Sequence, residues 1–397
     1  MQDFIQEHFI NRKNTNSSKW DNLAVRFNDN RDLLAMWVAD MEFKTAKEIL
    51  SAINERVNHG IFGYSLTPNS YYESFISWMK QYHNVELKKE WIRFNLGVVN
   101  SIYHLINCFS KENDSILILS PVYYPFARAV KDNHRKLVEN ELVYNEDNGE
   151  FCIDYDKLEK DIITNDVKMV IFCSPHNPIS RIWNADELKK CFDIFKKHNV
   201  LIISDEIHQD FTYKKSFISA LNYEEYFDNL IILNAASKTF NLACLLNSHI
   251  IIPNEKLLAV YDEFAKRFNQ IETNIIGQLA TEIAYKKARY WLENVKEIIY
   301  KNYLYIKDEF AKDEITKNII ISPFEGTYLL FLNFSKVINE NRMKEFIQDD
   351  CMIAIDYGDW FGKDYKGFMR VNLATAPIHI EEFVKRVKNQ LKIKDYR

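Results

Sequence analysis

The sequence predicts an α/β fold, in which a mostly parallel sheet is flanked by helices and joined to a smaller α+β unit. Three short apolar runs, at 168–173, 200–203 and 231–233, are rich in β-branched residues, and each ends abruptly in polar residues. Such runs are typical of buried parallel strands. Helical periodicity lies between the strand-like runs, and this alternation indicates βαβ units. The last hundred residues switch to strands around Gly326, a short helix and a closing amphipathic helix.

Length and composition are those of a globular protein with two domains. The chain has 397 residues, of which 47% are hydrophobic and 27% charged, as is usual for soluble domains. We expect a large domain over residues 46–286. A smaller domain is expected from residues 287–397 together with an N-terminal arm and its flank, residues 1–45.

Charge and cysteine content argue against several function classes. The net charge of −5 gives no electrostatic reason to expect nucleic acid or an anionic membrane as a partner. No apolar run approaches the length of a membrane span, and the N-terminus lacks the basic start and apolar core of a signal peptide. We therefore expect a cytoplasmic protein. The six cysteines are scattered without CxxC pairing, so neither a disulfide framework nor a metal site is expected.

The N-terminal part of the chain combines loops with two predicted helices. Residues 1 to about 35 are polar and irregular, and we expect them to form an arm leading into the fold. An apolar run then closes on Asp40, as a strand does before a turn. Apolar residues at helical spacing predict helices over 46–57 and 70–82. The glycine-containing loop between them carries Tyr64, whose hydroxyl either meets a partner group or packs against the protein.

Two further features in this half have ligand-binding potential. Gly97 forms a turn that feeds a predicted helix, and the first N–H groups of a helix make a natural phosphate site. Any helix start offers these groups, so the feature needs support from its surroundings. The run 115–119 predicts a strand that ends in an aromatic turn at Tyr123. Its ring either stacks on a flat ligand or belongs to the core.

The C-terminal half places an arginine inside an apolar strand. The pattern is mostly helical from Asn254 to about Tyr303, where a long helix would bridge to the second domain. Arg370 lies within the predicted strand 368–374, and a buried guanidinium needs an anion or must extend to solvent. No acidic partner is evident from the pattern, so a substrate carboxylate held by two parallel hydrogen bonds is one candidate. The other predicted elements are a helix start at 184–188, strands at 318–322 and 327–333, and helices at 343–347 and 380–391.

Polar residues follow each of the three buried runs, and their chemistry is specific. Ligands of open α/β sheets bind outside the carboxyl ends of the strands, so Asn177, Asp205 and Lys238 are expected to meet there. Burial lowers the pKa of an amine, and a neutral amine can attack a carbonyl. Together the three groups suit pyridoxal phosphate: the lysine forms a Schiff base, the carboxylate pairs with the pyridinium nitrogen, and the amide bonds the phenolic oxygen. The alternative for Lys238 is a surface lysine in a loop.

Short motifs in a fixed order extend this interpretation. They are Trp37-Val38-Ala39-Asp40-Met41, Phe62-Gly63-Tyr64, Ser120-Pro121-Val122-Tyr123, His176-Asn177-Pro178, Ser204-Asp205-Glu206-Ile207-His208, Ser237-Lys238-Thr239-Phe240-Asn241, Glu325-Gly326-Thr327-Tyr328-Leu329-Leu330 and Arg370-Val371-Asn372. With these motifs the chain resembles fold-type I pyridoxal-phosphate enzymes of the class I/II aminotransferase superfamily, and within it the MalY/PatB-type cystathionine β-lyases. That resemblance implies the aspartate aminotransferase-like fold of PLP-dependent transferases over about residues 37–376. His208 and the segment 239–241 are the features similar to the lyase-type members.

The resemblance implies a role for each matching position. Catalysis would rest on Lys238, which carries the cofactor, with Tyr123 and Tyr64. The substrate would be an amino acid whose carboxylate binds Arg370, with Trp37 and Asp40 nearby. Family members are homodimers with shared sites, so Tyr64 would reach the cofactor phosphate or the substrate of the neighbouring subunit. The cofactor-binding set implied by the family is Val98, Val99, Tyr123, Asn177, Asp205, His208, Ser237, Lys238 and Tyr64.

Four positions depart from the family pattern. Ser180 replaces the usual glycine of the turn after Asn177, which would alter that turn. Cys244 stands where a glycine commonly follows the lysine motif. Leu246 replaces the phosphate-binding arginine of the aminotransferases, and Asn100 replaces a small residue or proline. These departures affect cofactor affinity and substrate choice more than the fold.

The expected reaction is the cleavage of a carbon–sulfur bond at Cβ of an L-amino acid such as cystathionine. It would release a thiol, pyruvate and ammonia. An aminotransferase acting on an L-amino acid and a 2-oxo acid is the alternative, because the same residues serve both reactions. A regulatory or binding protein that keeps the fold without the chemistry is a third hypothesis. The intact set of Asn177, Asp205 and Lys238 argues against it.

Overall fold

The strands of the computed structural model divide between a large central sheet and a smaller one. The structure describes residues 1–268 and 274–397. The strands are, in chain order, β1 (Leu34–Ala35), β2 (Ile92–Asn95), β3 (Ser115–Ser120), β4 (Lys136–Glu141), β5 (Val143–Tyr144), β6 (Phe151–Cys152), β7 (Val167–Cys173), β8 (Leu201–Asp205), β9 (Leu230–Asn234), β10 (Ser248–Ile251), β11 (Ile320–Ile321), β12 (Leu329–Asn333), β13 (Ile353–Ala354), β14 (Asp356–Tyr357) and β15 (Phe368–Asn372).

Helices surround these strands and vary from one turn to more than six. The α-helices are α1 (Gln2–His8), α2 (Leu23–Phe27), α3 (Lys47–His59), α4 (Asn69–His83), α5 (Val98–Phe109), α6 (Pro125–Asp132), α7 (Tyr155–Thr164), α8 (Ala185–Lys197), α9 (Ala236–Thr239), α10 (Glu255–Lys266), α11 (Ile275–Lys287), α12 (Arg289–Ala311) and α13 (Pro377–Ile393). A π-helical turn spans Glu345–Asp350.

The large sheet confirms the predicted α/β fold class. Its strand order is β2-β10-β9-β8-β7-β3-β4. The five strands from β9 to β4 run parallel, and β10 and β2 add an antiparallel edge. The three apolar runs of the sequence are β7, β8 and β9, which lie side by side in the sheet. Their carboxyl ends therefore share one edge, as the sequence predicts.

Alternate residues of each central strand face opposite layers of the core. In β7, Val170 and Phe172 pack into the larger hydrophobic cluster, whereas Met169 and Ile171 pack into a second cluster with α5 and α6. This period of two is that of a strand whose sheet is covered by helices on both faces. The sheet is therefore buried on both sides, and ligands have access to it at the strand ends.

The smaller sheet forms from the C-terminal part of the chain. Its order is β11-β12-β15-β14, and all its pairings are antiparallel. Strand β14 was not anticipated from the sequence, and it places Asp356 directly opposite Arg370 of β15. Strand β1 pairs with β13, which joins the N-terminal segment to this C-terminal region.

Most predicted helices form, and their limits differ by a few residues. The predicted helices over 46–57 and 70–82 are α3 and α4. The helix start at Asn184 carries a capping box, in which Asn184 and Glu187 each bond the backbone N–H of the other. The interval 254–303 is mostly helical but consists of α10, α11 and most of α12, and its residues 269–273 lie outside the described part of the chain.

The expectation of an irregular N-terminal arm is wrong in part. Residues 1–35 contain α1 and α2, and each has a buried apolar face. Phe4 of α1 stacks on His8 and also contacts Phe43 and Trp291. A short helix can pack against the protein through only one or two apolar residues. The mostly polar composition of this stretch therefore did not indicate its helices.

Within residues 1–268 and 274–397, no helix combines the length and the apolar character that a bilayer crossing requires.

Candidate active site

A cavity of about 320 Å³ opens at the carboxyl ends of β7, β8 and β9. This volume lies within the range of about 300–1,000 Å³ that is usual for small-molecule sites. Asn177, Asp205 and Lys238 all line it, so the three groups predicted to meet at this edge do meet there. The other lining residues are Ala39, Leu96, Gly97, Val98, Val99, Asn100, Tyr123, Cys173, Ile207, His208, Ser237, Ala243, Leu246 and Asn247.

Lys238 is held on the one-turn helix α9, immediately after β9. Its side chain faces the cavity, and Nζ donates a hydrogen bond to the carbonyl oxygen of Ala39 at 2.8 Å. Burial lowers the pKa of Lys238 to about 8; the charge of Asp40 opposes this shift, whereas that of Arg370 adds to it. A lysine with this pKa has a far larger neutral fraction near physiological pH than an ordinary lysine, and the neutral amine is the form that reacts with a carbonyl.

Asp205 ends β8 and is almost fully buried. Burial raises its pKa to about 7, while the backbone N–H of Ile207, 3.1 Å from Oδ1, and the charge of Lys238 lower it. A buried carboxylate with so little neutralisation favours a cationic partner in the cavity. A protonated ring nitrogen is such a partner.

Arg370 lies beside the cavity and reaches it through Asn177. Its Nη1 donates to Oδ1 of Asn177 at 2.9 Å. The sequence pattern showed no acidic partner for Arg370, and the structure corrects this: Asp356 forms a buried ion pair with Nη2. The apolar run 352–355 ends directly at Asp356, much as the three central runs end in polar residues, so it carried a signal that the sequence analysis missed.

The segment from Trp37 to Asp40 forms one wall of the site through its backbone. Arg370 Nη2 donates to Trp37 O at 3.0 Å, and Tyr328 OH donates to Ala39 O at 2.7 Å. Asn372 Nδ2 bonds the carbonyl oxygens of residues 38 and 40 at 2.6 and 2.7 Å. Each carbonyl of the segment is therefore fixed by a side chain from the site or its support.

The side chains of two residues that were expected near the substrate point to partners outside the cavity. The indole of Trp37 is buried, and its Nε1 donates to Lys19 O at 2.8 Å, away from the cavity. Asp40 pairs with Arg12 at 2.7 Å. Both side chains are thus engaged outside the cavity, and a role of either residue in substrate binding stays a prediction.

The first turn of α5 faces one end of the cavity. Gly97, Val98 and Val99 line it, and the N–H groups of a first helical turn have no acceptor within the helix. Ser237 faces the same space. Leu246, which stands in place of the family arginine, has a left-handed backbone with φ 49° and a half-exposed side chain. The anion-binding potential of this end therefore comes from helix N–H groups and a hydroxyl.

Two aromatic or heteroaromatic rings flank the three central groups. Tyr123 follows β3 and faces the cavity, and burial raises the pKa of its hydroxyl. His208 is buried, and burial together with the charges of Lys238 and Arg370 holds its pKa well below the usual value. Its Nδ1 has no hydrogen-bond partner among the residues that the structure describes. A neutral imidazole with a free ring nitrogen is suited to a polar ligand atom.

Tyr64 lies outside this cavity in the isolated chain. Its side chain is 95% exposed, in a loop that also exposes Ile61, Phe62 and Leu66. The expectation that Tyr64 acts in the site of a neighbouring subunit stays a prediction.

Of the remaining departures from the family pattern, Asn100 lines the cavity, and those at Ser180 and Cys244 have local explanations. Ser180 adopts φ 58°, the left-handed conformation in which glycine is usual. Its hydroxyl donates to Leu329 O, so the turn keeps its shape despite the substitution. Cys244 is exposed and sits in a short 3-10 turn that requires no glycine.

The donor set of the cavity fits pyridoxal phosphate. Lys238 offers the amine, Asp205 an under-neutralised carboxylate, and the α5 start an anion site. The unpartnered Nδ1 of His208 gives a further polar contact on the same wall. All the cofactor-binding residues expected from sequence, apart from Tyr64, line this one cavity.

Comparison with known proteins places the chain in a family. The sequence model of the family described as aminotransferase class I and II matches residues 32–387. Cystathionine β-lyase PatB of Bacillus subtilis is 31% identical over 96% of this chain and 98% of that protein. The structure of cystalysin from Treponema denticola, which contains pyridoxal 5′-phosphate, superposes with a TM-score of 0.91 and 34% identity, covering 96% of this chain and 97% of that one.

A third comparison agrees with these two. The PLP-bound C-S lyase from Staphylococcus hominis superposes with a TM-score of 0.90 and 30% identity, and 98% of each chain is covered. The likeness spans essentially the full length of each relative.

The buried amine of Lys238 makes the cofactor-free protein less stable, and this gives a pH-dependent prediction. Its pKa is about 8 in the folded protein against 10.5 for the ordinary group. The unfolded chain therefore binds more protons between these values, so the penalty is complete below pH 8 and disappears as pH rises to 10.5. The penalty is about 3 kcal/mol, and the hydrogen bond to Ala39 offsets about 1 kcal/mol of it.

We expect cofactor-free Lys238→Met to be about 2 kcal/mol more stable than the wild type at pH 7. Urea unfolding at pH 7 and pH 9.5 measures this, and the advantage should shrink at the higher pH. The control is Lys256→Met, a substitution at an exposed lysine. Its effect on stability should be the same at both pH values. An advantage of Lys238→Met that is equal at both pH values would contradict the assignment of a buried, protonatable amine.

Proposed function

Because the chain belongs to the aminotransferase class I and II family, we propose that it is a pyridoxal-phosphate-dependent carbon–sulfur β-lyase. It cleaves L-cystathionine or related cysteine S-conjugates to a thiol, pyruvate and ammonia. The observation that carries this proposal is the convergence of Lys238, Asp205 and Asn177 on one cavity. The names of PatB and of the C-S lyase, which are similar over their whole length, support the lyase rather than the aminotransferase reaction.

The residues of the cavity divide the cofactor among them. Lys238 would hold it covalently through its amine, and Asp205 would keep a proton on its ring nitrogen. The Asn177 amide would bond the phenolic oxygen, and Tyr123 would stack on the ring. The α5 N-terminus at Val98 and Val99, with Ser237, would bind the phosphate.

The cofactor supplies an electron sink for negative charge at the substrate Cα. Arg370 binds the substrate carboxylate and so fixes the orientation of the Cα–H bond. The Lys238 amine would take the Cα proton as general base. The bond from Cβ to sulfur then breaks, and the thiolate leaves with a proton from Lys238 or a tyrosine hydroxyl.

We propose that the sheets correspond to two domains, 46–286 and 1–45 with 287–397. The seven strands of the large sheet fall between residues 92 and 251, and the smaller sheet between 320 and 372. The pairing of β1 with β13 supports the assignment of the N-terminal segment to the smaller domain. The proposed location is the cytoplasm.

We also propose a homodimer in which Tyr64 completes the site of the neighbouring subunit. Exposed apolar side chains of the loop 60–68, together with Leu96 and Leu246 at the cavity, form the surface that a second copy would cover. Thr67 anchors the loop through hydrogen bonds with Gln278 of α11, beside the Leu245–Asn247 wall. Apolar surface of this kind marks an interface.

The purified protein is expected to release pyruvate from L-cystathionine without any 2-oxo acid. A coupled lactate dehydrogenase assay measures the pyruvate, and product analysis identifies the thiol. Lys238→Ala should lose both the visible or near-ultraviolet band of the cofactor and the turnover, because the amine carries both functions. Activity that requires a 2-oxo acid acceptor would instead favour an aminotransferase, and a fully active Lys238→Ala variant would contradict the mechanism.

Shared sites predict complementation between two inactive variants. Lys238→Ala and Tyr64→Ala are each expected to be inactive or nearly so as homodimers. Subunit exchange creates mixed dimers in which one site has both residues, so activity should exceed that of either parent. The control is a mixture of Tyr64→Ala with the double variant Lys238→Ala/Tyr64→Ala, in which no site has both residues, so it should stay as inactive as its parents. A mixture no more active than its parents, with exchange verified by mass, contradicts a contribution of Tyr64 in trans.

A further inference from the structure

The ion pair between Asp356 and Arg370 lies where the proposed function places the substrate carboxylate. The two residues are directly opposite each other on β14 and β15, and each is about 98% buried. Arg370 therefore has one carboxylate partner before any substrate arrives. A second carboxylate on the same guanidinium would bring two like charges together in a buried site, where one of them must be neutralised.

The ion pair between Arg370 and Asp356 uses only part of the hydrogen-bonding capacity of either group, so a second carboxylate could also bind Arg370. Only Nη2 of Arg370 contacts Asp356, through Oδ2. In the described part of the chain, Arg370 Nε and Asp356 Oδ1 have no hydrogen-bond partner, although both are buried. A fork-to-fork pair would satisfy both atoms. The single contact keeps one edge of the guanidinium and one oxygen of the carboxylate available.

The charges around Asp356 set how readily it accepts a proton. Burial raises its pKa to about 6, while Arg370 and, less strongly, Arg26 lower it. Tyr123 and Tyr124 are titratable neighbours of this group, and the charges of Asp356 and Arg370 act on the hydroxyls of both. The guanidinium of Arg26 lies 4.0 Å from the centre of the Trp360 ring, at the outer side of the cluster. If Arg370 shared its guanidinium with a ligand, the larger of the two positive charges that stabilise ionised Asp356 would be partly neutralised.

We propose that Asp356 is a positioning residue that takes up a proton when a carboxylate binds Arg370. The proton comes from solvent, so one proton and one carboxylate enter the site together and the net charge of the cluster does not change. Arg370 can then turn its hydrogen bonds to the ligand while neutral Asp356 remains in place. The inference rests on the proposed function only in assigning the substrate carboxylate to Arg370.

Carboxylate binding should therefore weaken as pH rises, and binding of a neutral analogue should not. The probes are 3-(methylthio)propanoate and its amide, which lack the reactive amine, tested on the holoenzyme by isothermal titration calorimetry. Between pH 6.5 and 7.5 the Kd of the carboxylate should rise about tenfold, as expected for uptake of one proton. Titrations in buffers of different ionisation enthalpy count the protons directly. Protons taken up at the cofactor–lysine nitrogen are counted from its visible absorbance and subtracted.

Asp356→Asn should lower the remaining proton uptake from about one to about zero, while carboxylate binding persists because Arg370 loses its competitor. If this variant does not fold, the contrast between carboxylate and amide in the wild type decides the matter. Equal proton uptake in wild type and Asp356→Asn, or a pH-independent Kd in the wild type, overturns the proposal. Loss of any preference for the carboxylate overturns the Arg370 assignment with it. Pyruvate release by the same preparation tests the lyase function separately.

Discussion

The structure depends on one constraint: an amine and a carboxylate share a buried cavity where little else neutralises them. Lys238 and Asp205 each have a pKa displaced by burial toward the neutral form. Such groups destabilise a folded chain unless a ligand uses them. The sheet makes this arrangement possible because the parallel strands β8 and β9 end at the same edge. Asp205 is the last residue of β8, Lys238 lies on the short helix after β9, and both line the same cavity.

A network of hydrogen bonds around the cavity fixes the positions of Lys238 and its neighbours. The backbone wall from Trp37 to Asp40 receives hydrogen bonds from the smaller sheet, through Asn372 and Tyr328. Lys238 bonds the same wall at Ala39. The amine of Lys238 on the large sheet and the guanidinium of Arg370 on the small one thus both contact this segment. Such mutual orientation is what catalysis of a directed bond cleavage requires.

Much of this could be read from the sequence, and the remainder has a clear physical reason. The parallel strands and the meeting of Asn177, Asp205 and Lys238 follow from local pattern and from the geometry of parallel sheets. The helices of the N-terminal segment and the partner of Arg370 did not follow, because both depend on contacts between residues far apart in the chain. Asp356 is close to Arg370 only through the register of β14 and β15. Tyr64 is exposed in the single chain, and its role in a neighbouring subunit stays a prediction.

The central claim is that the amine of Lys238 carries the cofactor opposite Asp205. The most direct test is reduction of the purified holoenzyme with borohydride, followed by digestion and mass spectrometry of the peptides. The account predicts a single phosphopyridoxyl group on Lys238, and a loss of the visible band when it forms. A label on another lysine, or no label despite full occupancy by the cofactor, would contradict it.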